Sequence, residues 1–297
     1  MKNLFYFFKN KISFLIKSIK EEWIFYLLII LNLVPGFYRR ILASMDGGAH
    51  LYNSQIINTL LFKHSSIVHQ FYTLNPEIVP NWTGHFILSF LNYYLPAFVA
   101  EKVLLAAYLI TFPLVFRRFI KTIAPQNIWM SYFVFLFTYH FLFLLGFYNY
   151  SIALVFMIIG LNYWIKKCTQ PINVREFLTL FLILCVTYLS HIFVFAFLLF
   201  VMGIYLLIKA LILSQLFPTS KVKFFIHKSA ILLASAIVPL IFFVLYFLFF
   251  YIIMYSQNGI SFTELNLAND NLSKEFKKYQ ILKNKKQHLL KTYQQHY

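Results

Sequence analysis

A polytopic helical membrane protein is predicted by three features of this 297-residue chain: its apolarity, the recurrence of its apolar runs, and the placing of its basic residues. Hydrophobic residues make up 61%, aromatic ones 21% and charged ones only 12%, with mean hydropathy +0.71, values of a chain dissolved in lipid. The expected fold is all-α, a transmembrane helical bundle of about seven or eight membrane segments, with a first outer loop containing an interfacial helix. The formal charge of +17 does not point to nucleic acid. Lys and Arg stand at the ends of apolar runs and in the two tails, as anchoring and positive-inside sorting require. Cys168 and Cys185 give neither a disulfide framework nor a metal-site spacing.

In chain order, residues 1–22 read as a basic amphipathic segment on the cytoplasmic leaflet, with Phe5, Phe8 and Ile16 among Lys2, Lys9, Lys11, Lys17 and Lys20. The first apolar run, 23–37, is expected to remain as an uncleaved helix, since no clear A-x-A site follows it. A loop over about 39–82 is mostly too polar to span. Within it, 49–62 has helical periodicity, with Ile56, Ile57, Leu60 and Leu61 on one face and His50, Asn53 and Ser54 on another, and is expected to lie at the membrane surface. Further apolar runs cover 85–96, 103–116, 128–145, 151–165, 177–190, 192–213 and 230–255, several shorter than the roughly 20 residues a spanning helix needs. Together these form a transmembrane domain over 23–256, followed by a basic polar tail, 257–297.

Basic clusters at Arg117/Arg118/Lys121, Lys166/Lys167/Arg175 and Lys209 to Lys228 read as cytoplasmic. That places Asp46, the turn at 146–150 and His191 on one outer face. Two full crossings after Trp82 would return Arg117 to the outside. Either 85–96 is therefore a re-entrant or interfacial limb, or the arginines meet an anionic lipid on the outer face.

Asp46, in Met45-Asp46-Gly47-Gly48-Ala49-His50, is the only aspartate before Asp270, and between Trp23 and Thr263 the only other acids are Glu77, Glu101 and Glu176. A carboxylate near hydrocarbon costs about 2.5 to 3.5 kcal/mol even on lenient insertion scales, so each acid needs a reason. Gly47-Gly48 lets the chain turn sharply toward a ligand, and the helix after it offers unpaired N–H groups to an anion. The same residues also fit an ordinary turn before an amphipathic connector.

His50 shares a helix face with Asp46 if that helix begins early, where it would position a base or ligate a metal. Glu77 would complete an oxygen and nitrogen set with Asp46 and His50 for a divalent metal, or is a solvated loop acid. Asn81, Trp82 and His85 mark the return of the loop to the membrane, and the Trp82 ring suits an interface or a sugar. Tyr148, Asn149 and His191 interrupt apolar runs, where polar groups either serve function or satisfy backbone at a turn. Glu101 and Lys102 are expected to pair locally, and His140 to be a packed residue in a long aromatic helix.

A first helix, an outer loop with an acid near its start (Asp46 in MDGGAHLYN), a surface helix and then short aromatic-rich helices together resemble the GT-C class of polyprenyl-phosphate-dependent glycosyltransferases. Protein O-mannosyltransferases and lipid A aminoarabinose transferases belong to that class. The resemblance covers roughly 23–255 and is one of layout with one motif. The Asp-x-Asp pair of some members is missing, because Gly48 occupies the second position.

The resemblance implies transfer of a sugar from a polyprenyl-phosphate carrier to a lipid, glycan or protein acceptor at the outer face of a bacterial inner membrane. Asp46 and His50 would be the catalytic residues. Asp46 would draw the proton from the acceptor hydroxyl in a reaction with an oxocarbenium-like transition state. Arg39 and Arg40, read otherwise as headgroup anchors, would receive the leaving phosphate. Glu77, Asn81, Trp82, His85, Tyr148, Asn149 and His191 would bind substrate. The chain is short for the class, which implies a minimal, truncated or partner-dependent form, with a membrane protein as partner. Two other readings stay open: a transporter or flippase of a lipid-linked sugar, which predicts inverted repeats not evident here, and a non-catalytic membrane assembly protein, for which Asp46 would be dispensable.

Overall fold

The computed structural model describes residues 21–38, 42, 44–63, 66–74, 79–216 and 221–258. Among them all regular structure is helical. Helix α1 covers 21–37. It is followed by α2 (Gly47–Asn58), whose last turn widens into a π-helical turn over Thr59–Lys63, and by the short α3 (Ser66–Phe71). Next come α4 (Thr83–Tyr94) and α5 (Ala97–Ile123), then a 3-10 helix over Pro125–Leu136 and the single turn α6 (Phe141–Leu144). The chain continues through α7 (Tyr148–Lys167), α8 (Val174–Ser190), α9 (Ile192–Leu216) and α10 (Lys221–Asn258). It divides after Phe243 into two units, Met1–Phe243 and Val244–Tyr297, and the site described below belongs wholly to the first.

Among the described residues, five helical stretches are long and apolar enough to cross a membrane: Ala97–Ile123, Pro125–Leu144, Tyr148–Lys167, Ile192–Ile212 and Val222–Leu248. This is a membrane protein. The sequence predicts seven or eight segments; α1 and α8 are apolar but only 17 residues each, about 26 Å of helix against a hydrocarbon core of about 30 Å.

Helices α1 and α5 run antiparallel, and polar contacts at both ends fix this. At one end Glu22 pairs with Arg117 at 3.2 Å and with Lys121 at 2.7 Å, while Glu21 lies 3.7 Å from Arg117. The Arg117 guanidinium also stacks over Phe25, 4.3 Å from the ring centre, and donates to Ser131 Oγ at 2.8 Å. At the other end Lys102 Nζ donates to the carbonyl of Gly36. The start of α1 and the end of α5 therefore share one end of the bundle, so the chain crosses it once between Lys102 and Arg117. The 12 residues of α4 span only about 18 Å, short of a hydrocarbon core of about 30 Å.

The main core lies between these helices, where Phe25, Ile29, Leu105, Leu109 and Phe112 pack against Val134, Phe143 and Ile152. On the far side of α7, buried Trp164 donates its Nε1–H to the carbonyl of Met202 at 3.1 Å, tying α7 to α9.

Several boundaries differ from the sequence reading. The aromatic run 128–145 is not one helix: it breaks between Phe137 and His140, and the His140 ring caps α6 by accepting the Phe143 N–H at 3.1 Å. Tyr148, Asn149 and Tyr150 form the first turn of α7 rather than a break between helices. Glu101 and Lys102 do not pair with each other, because neighbouring residues on a helix point in different directions. Glu101 turns inward to Tyr148 and Lys102 toward Gly36.

Candidate functional site

The two ends of the segment between α1 and α4 meet the turns that precede α7 and α9. Asp46 donates its backbone N–H to the carbonyl of Leu145 at 2.9 Å. Gly146 has φ +91°, and a β-carbon there would fall 2.6 Å from the nitrogen of Gly47 and 3.2 Å from the carbonyl carbon of Asp46. Only glycine allows both this backbone conformation and this approach. On the return limb, Trp82 donates its N–H to the carbonyl of Leu189 at 2.9 Å, and Ser190 Oγ bonds Thr83 Oγ1 at 3.0 Å.

Asn149 fastens the same limb. Its Oδ1 accepts from the Gly84 N–H at 2.6 Å, its Nδ2 donates to the carbonyl of Asn81 at 2.8 Å, and it is 4% exposed. Both ends of its amide thus satisfy backbone groups, Asn81 itself being held at φ 68°. Asn149 shapes the site from beneath.

With both limbs anchored, His50 on α2 and His85 on α4 face each other, Nδ1 to Nε2 at 3.3 Å. The ring centres are 4.7 Å apart, and His50 also lies 5.5 Å from the Tyr148 ring. Burial holds the His50 imidazole below the usual histidine range, opposed by the charge of Asp46. Burial, and then the neighbouring His50, bring His85 down to about 4. Both rings are therefore neutral at pH 7, and one donates to the other. His85 Nδ1 is buried and has no hydrogen-bond partner.

Asp46 stands at the N-cap of α2, but its side chain makes no cap bond. The Gly47 N–H goes instead to Ser44 Oγ at 3.2 Å. Beneath that turn, the Tyr148 hydroxyl donates to Glu101 Oε1 at 2.6 Å; Glu101 is completely buried and its Oε2 has no partner. The His191 ring is edge-on to Tyr150 at 5.1 Å, and Tyr150 in turn lies 5.5 Å from His140.

Two adjoining cavities open along α2 and α4. One, of about 350 Å³, is lined by Asn53, Tyr72, Asn81, Trp82 and His85 together with Ile56 and Ile57. The other, of about 420 Å³, is lined by Phe62, Phe86, Phe90, Tyr93 and Tyr94, and it shares Ile57 with the first. The pair forms a groove that is polar at the histidine end and aromatic at the other. A polar seam underlies it: Asn92 donates to Ser54 Oγ, and Ser89 donates to Asn58 Oδ1 at 2.7 Å. Ser54 is thus buried against α4.

Asp46, His50, His85 and Tyr148 are therefore neighbours, Asn81, Trp82 and Asn149 frame them, and His191 packs on Tyr150. Arg39, Arg40 and Glu77 lie outside the described residues, as do residues 1–20 and 259–297. Among the described residues no three of His, Cys, Asp and Glu come close enough to hold a metal ion. Ser44 and Glu101 were missed as site residues by the sequence reading. Glu101 carried a signal, since an acid on an apolar helix face must meet a polar partner inside the bundle. Ser44 carried none. Compared with known proteins, the chain matches no family model, no curated protein and no solved structure.

Proposed function

We propose that this chain is an integral membrane glycosyltransferase that moves a sugar from a polyprenyl-phosphate carrier to an acceptor hydroxyl at the outer membrane face, as the resemblance to the GT-C class implies. The observation that carries the reading is the carboxylate of Asp46, not engaged in capping α2, beside the neutral His50–His85 pair at the polar end of an amphipathic groove. A sugar linked to a lipid has that same division. The sugar suits Asn53, Asn81 and Trp82, and the apolar chain suits Phe86, Phe90 and Tyr93.

Chemically, an acceptor hydroxyl is a weak nucleophile until a base removes its proton, and a positioned carboxylate contributes typically 10²- to 10⁴-fold. Asp46 takes that role, and His50, on the same helix, orients it or the acceptor. The arginines that the resemblance assigns to the leaving phosphate, Arg39 and Arg40, precede Asp46 in the chain. A count of seven crossings, with α1 and α8 as the short ones, puts the lysine-rich N-terminus inside and the Asp46 end outside.

The test is transfer of labelled sugar from membrane lipid in vesicles carrying wild-type protein or Asp46→Asn at matched levels. Transfer by the wild type, and its loss by at least about a hundredfold in the variant with insertion intact, supports the reading. Equal transfer by the two proteins, or none by either, removes it and leaves transport or assembly.

A further inference from the structure

Aspartate is among the strongest helix N-caps, because its side-chain oxygen takes the N–H of the second or third helical residue. At the cap of α2 Asp46 does not do this. Its backbone is in the right-handed helical region, at φ −103° and ψ −12°, instead of the extended one usual for a cap, and its carboxylate makes no cap bond. Something else must hold the start of this helix.

The replacement is a pair of hydroxyls, Ser44 and Tyr148, backed by a buried carboxyl. The Gly47 N–H donates to Ser44 Oγ at 3.2 Å. The Tyr148 hydroxyl, which lies against the same turn, donates to Glu101 Oε1 at 2.6 Å. The helix start rests directly on the two hydroxyls: a β-carbon on Gly47 would meet Ser44 Oγ at 2.3 Å and the Tyr148 hydroxyl at 2.5 Å. Tyr148 is 2% exposed and Glu101 0%. The adjacent cation makes no salt bridge with this acid, and Lys102 donates to the carbonyl of Gly36. An acid so placed is costly, and holding the Asp46 turn is the use the geometry gives it.

We infer that Glu101, acting through Tyr148 beside Ser44, is a positioning residue that keeps the Asp46 carboxylate off the end of α2 and free to meet an acceptor hydroxyl. The inference rests on the reading of Asp46 as the base. When this support is removed, the start of α2 loses its seat, and Asp46 relaxes into the cap that its chemistry favours. The carboxylate then occupies the helix amides and leaves the acceptor.

Amide hydrogen exchange at single-residue resolution, on the full chain in lipid nanodiscs, reads this directly. In Tyr148→Phe, the Gly47 amide is expected to exchange faster, while the Gly48 and Ala49 amides become slower by about fivefold, the size of one cap bond. Ser44→Ala, which leaves the packing of Tyr148 and Glu101 intact, is expected to give the same opposed pattern. In sugar transfer both variants lose at least about tenfold in kcat at unchanged KM, because positioning and not binding is lost. Glu101→Gln, which keeps an acceptor for the Tyr148 hydroxyl, recovers much of what Glu101→Leu loses. A uniform speeding of all three amides, or no change in any, overturns the inference by reducing the support to packing. Exchange is read whether or not sugar moves: the opposed pattern in a protein without transferase activity would sink the functional reading and leave the positioning role standing.

Discussion

The backbone N–H of Asp46 is bonded to the carbonyl of Leu145 at 2.9 Å, which seats the acid of the first loop on the turn before α7. Gly146 makes this seat possible, with φ +91° and room for no side chain between it and Gly47. Gly146→Ala is therefore expected to cost about 2–4 kcal/mol through strain and overlap, and to abolish transfer. Gly48→Ala is the contrast. Nothing lies within 4 Å of a β-carbon there, and the position is helical, so alanine is expected to be neutral or to stabilise by about 0.5–1 kcal/mol. Unfolding of the two variants in the same detergent checks the difference, and comparable losses would show that the seat has no special role.

The histidine pair gives a pH dependence with a definite sign. His85 lies near 4 in the folded protein against 6.5 when unfolded, so folding disfavours its protonated form. The stability tied to the neutral ring is complete above pH 6.5, is lost as pH falls from 6.5 toward 4, and changes no further below that. His50 is lowered too and adds in the same direction. His85→Gln is expected to flatten this limb of the melting curve between pH 7 and 4. If wild type and variant lose stability in parallel over that window, the pair does not titrate as the geometry requires.

Much of this architecture was legible in the sequence. The apolar runs located α5, α7, α8 and α9, because a helix dissolved in lipid must be apolar along its length. Asp46, His50, Tyr148 and His85 were each conspicuous as polar groups among hydrocarbon. What periodicity could not show was pairing. His50 and His85 sit on helices joined by a polar loop, and nothing in either segment dictates that their rings touch. Nor could the helical face that carries Ser54 show that its hydroxyl meets Asn92 on the next helix. The break at His140 was hidden because the run around it is apolar on both sides, while the break is made by a side-chain cap.

The opposite end of the bundle is held by Arg117, 4% exposed, between Glu21, Glu22, Ser131 and the Phe25 ring. Removing the guanidinium deletes a charge-assisted bond, a cation–π contact and packing at once. Arg117→Leu is expected to destabilise by about 2–4 kcal/mol, at the lower side of a broken buried pair because Glu21 and Glu22 can rehydrate. A double-mutant cycle with Glu22→Gln should return a coupling of about 1–2 kcal/mol, whereas the cycle of Lys121 with Glu22, on an exposed lysine, should return under about 1 kcal/mol. Equal couplings in the two cycles would mean that burial adds nothing to the Arg117 pair.

Beneath the groove, Ser89 Oγ donates to Asn58 Oδ1 at 2.7 Å, and both residues are buried between α2 and α4. Ser89→Ala leaves the Asn58 carbonyl without its donor and is expected to cost about 1–3 kcal/mol, the penalty of an unsatisfied buried acceptor. Adding Asn58→Leu removes the stranded acceptor, so the double variant should be more stable than Ser89→Ala alone, a reversal that lost packing would not produce. Because Ser89 also lines the aromatic cavity and Ile57 joins the two cavities one residue before Asn58, the single variant should in addition weaken retention of a fluorescent long-chain prenyl phosphate in detergent. The double variant should restore it. Destabilisation that accumulates from single to double would place the energy of this contact in shape and not in the hydrogen bond.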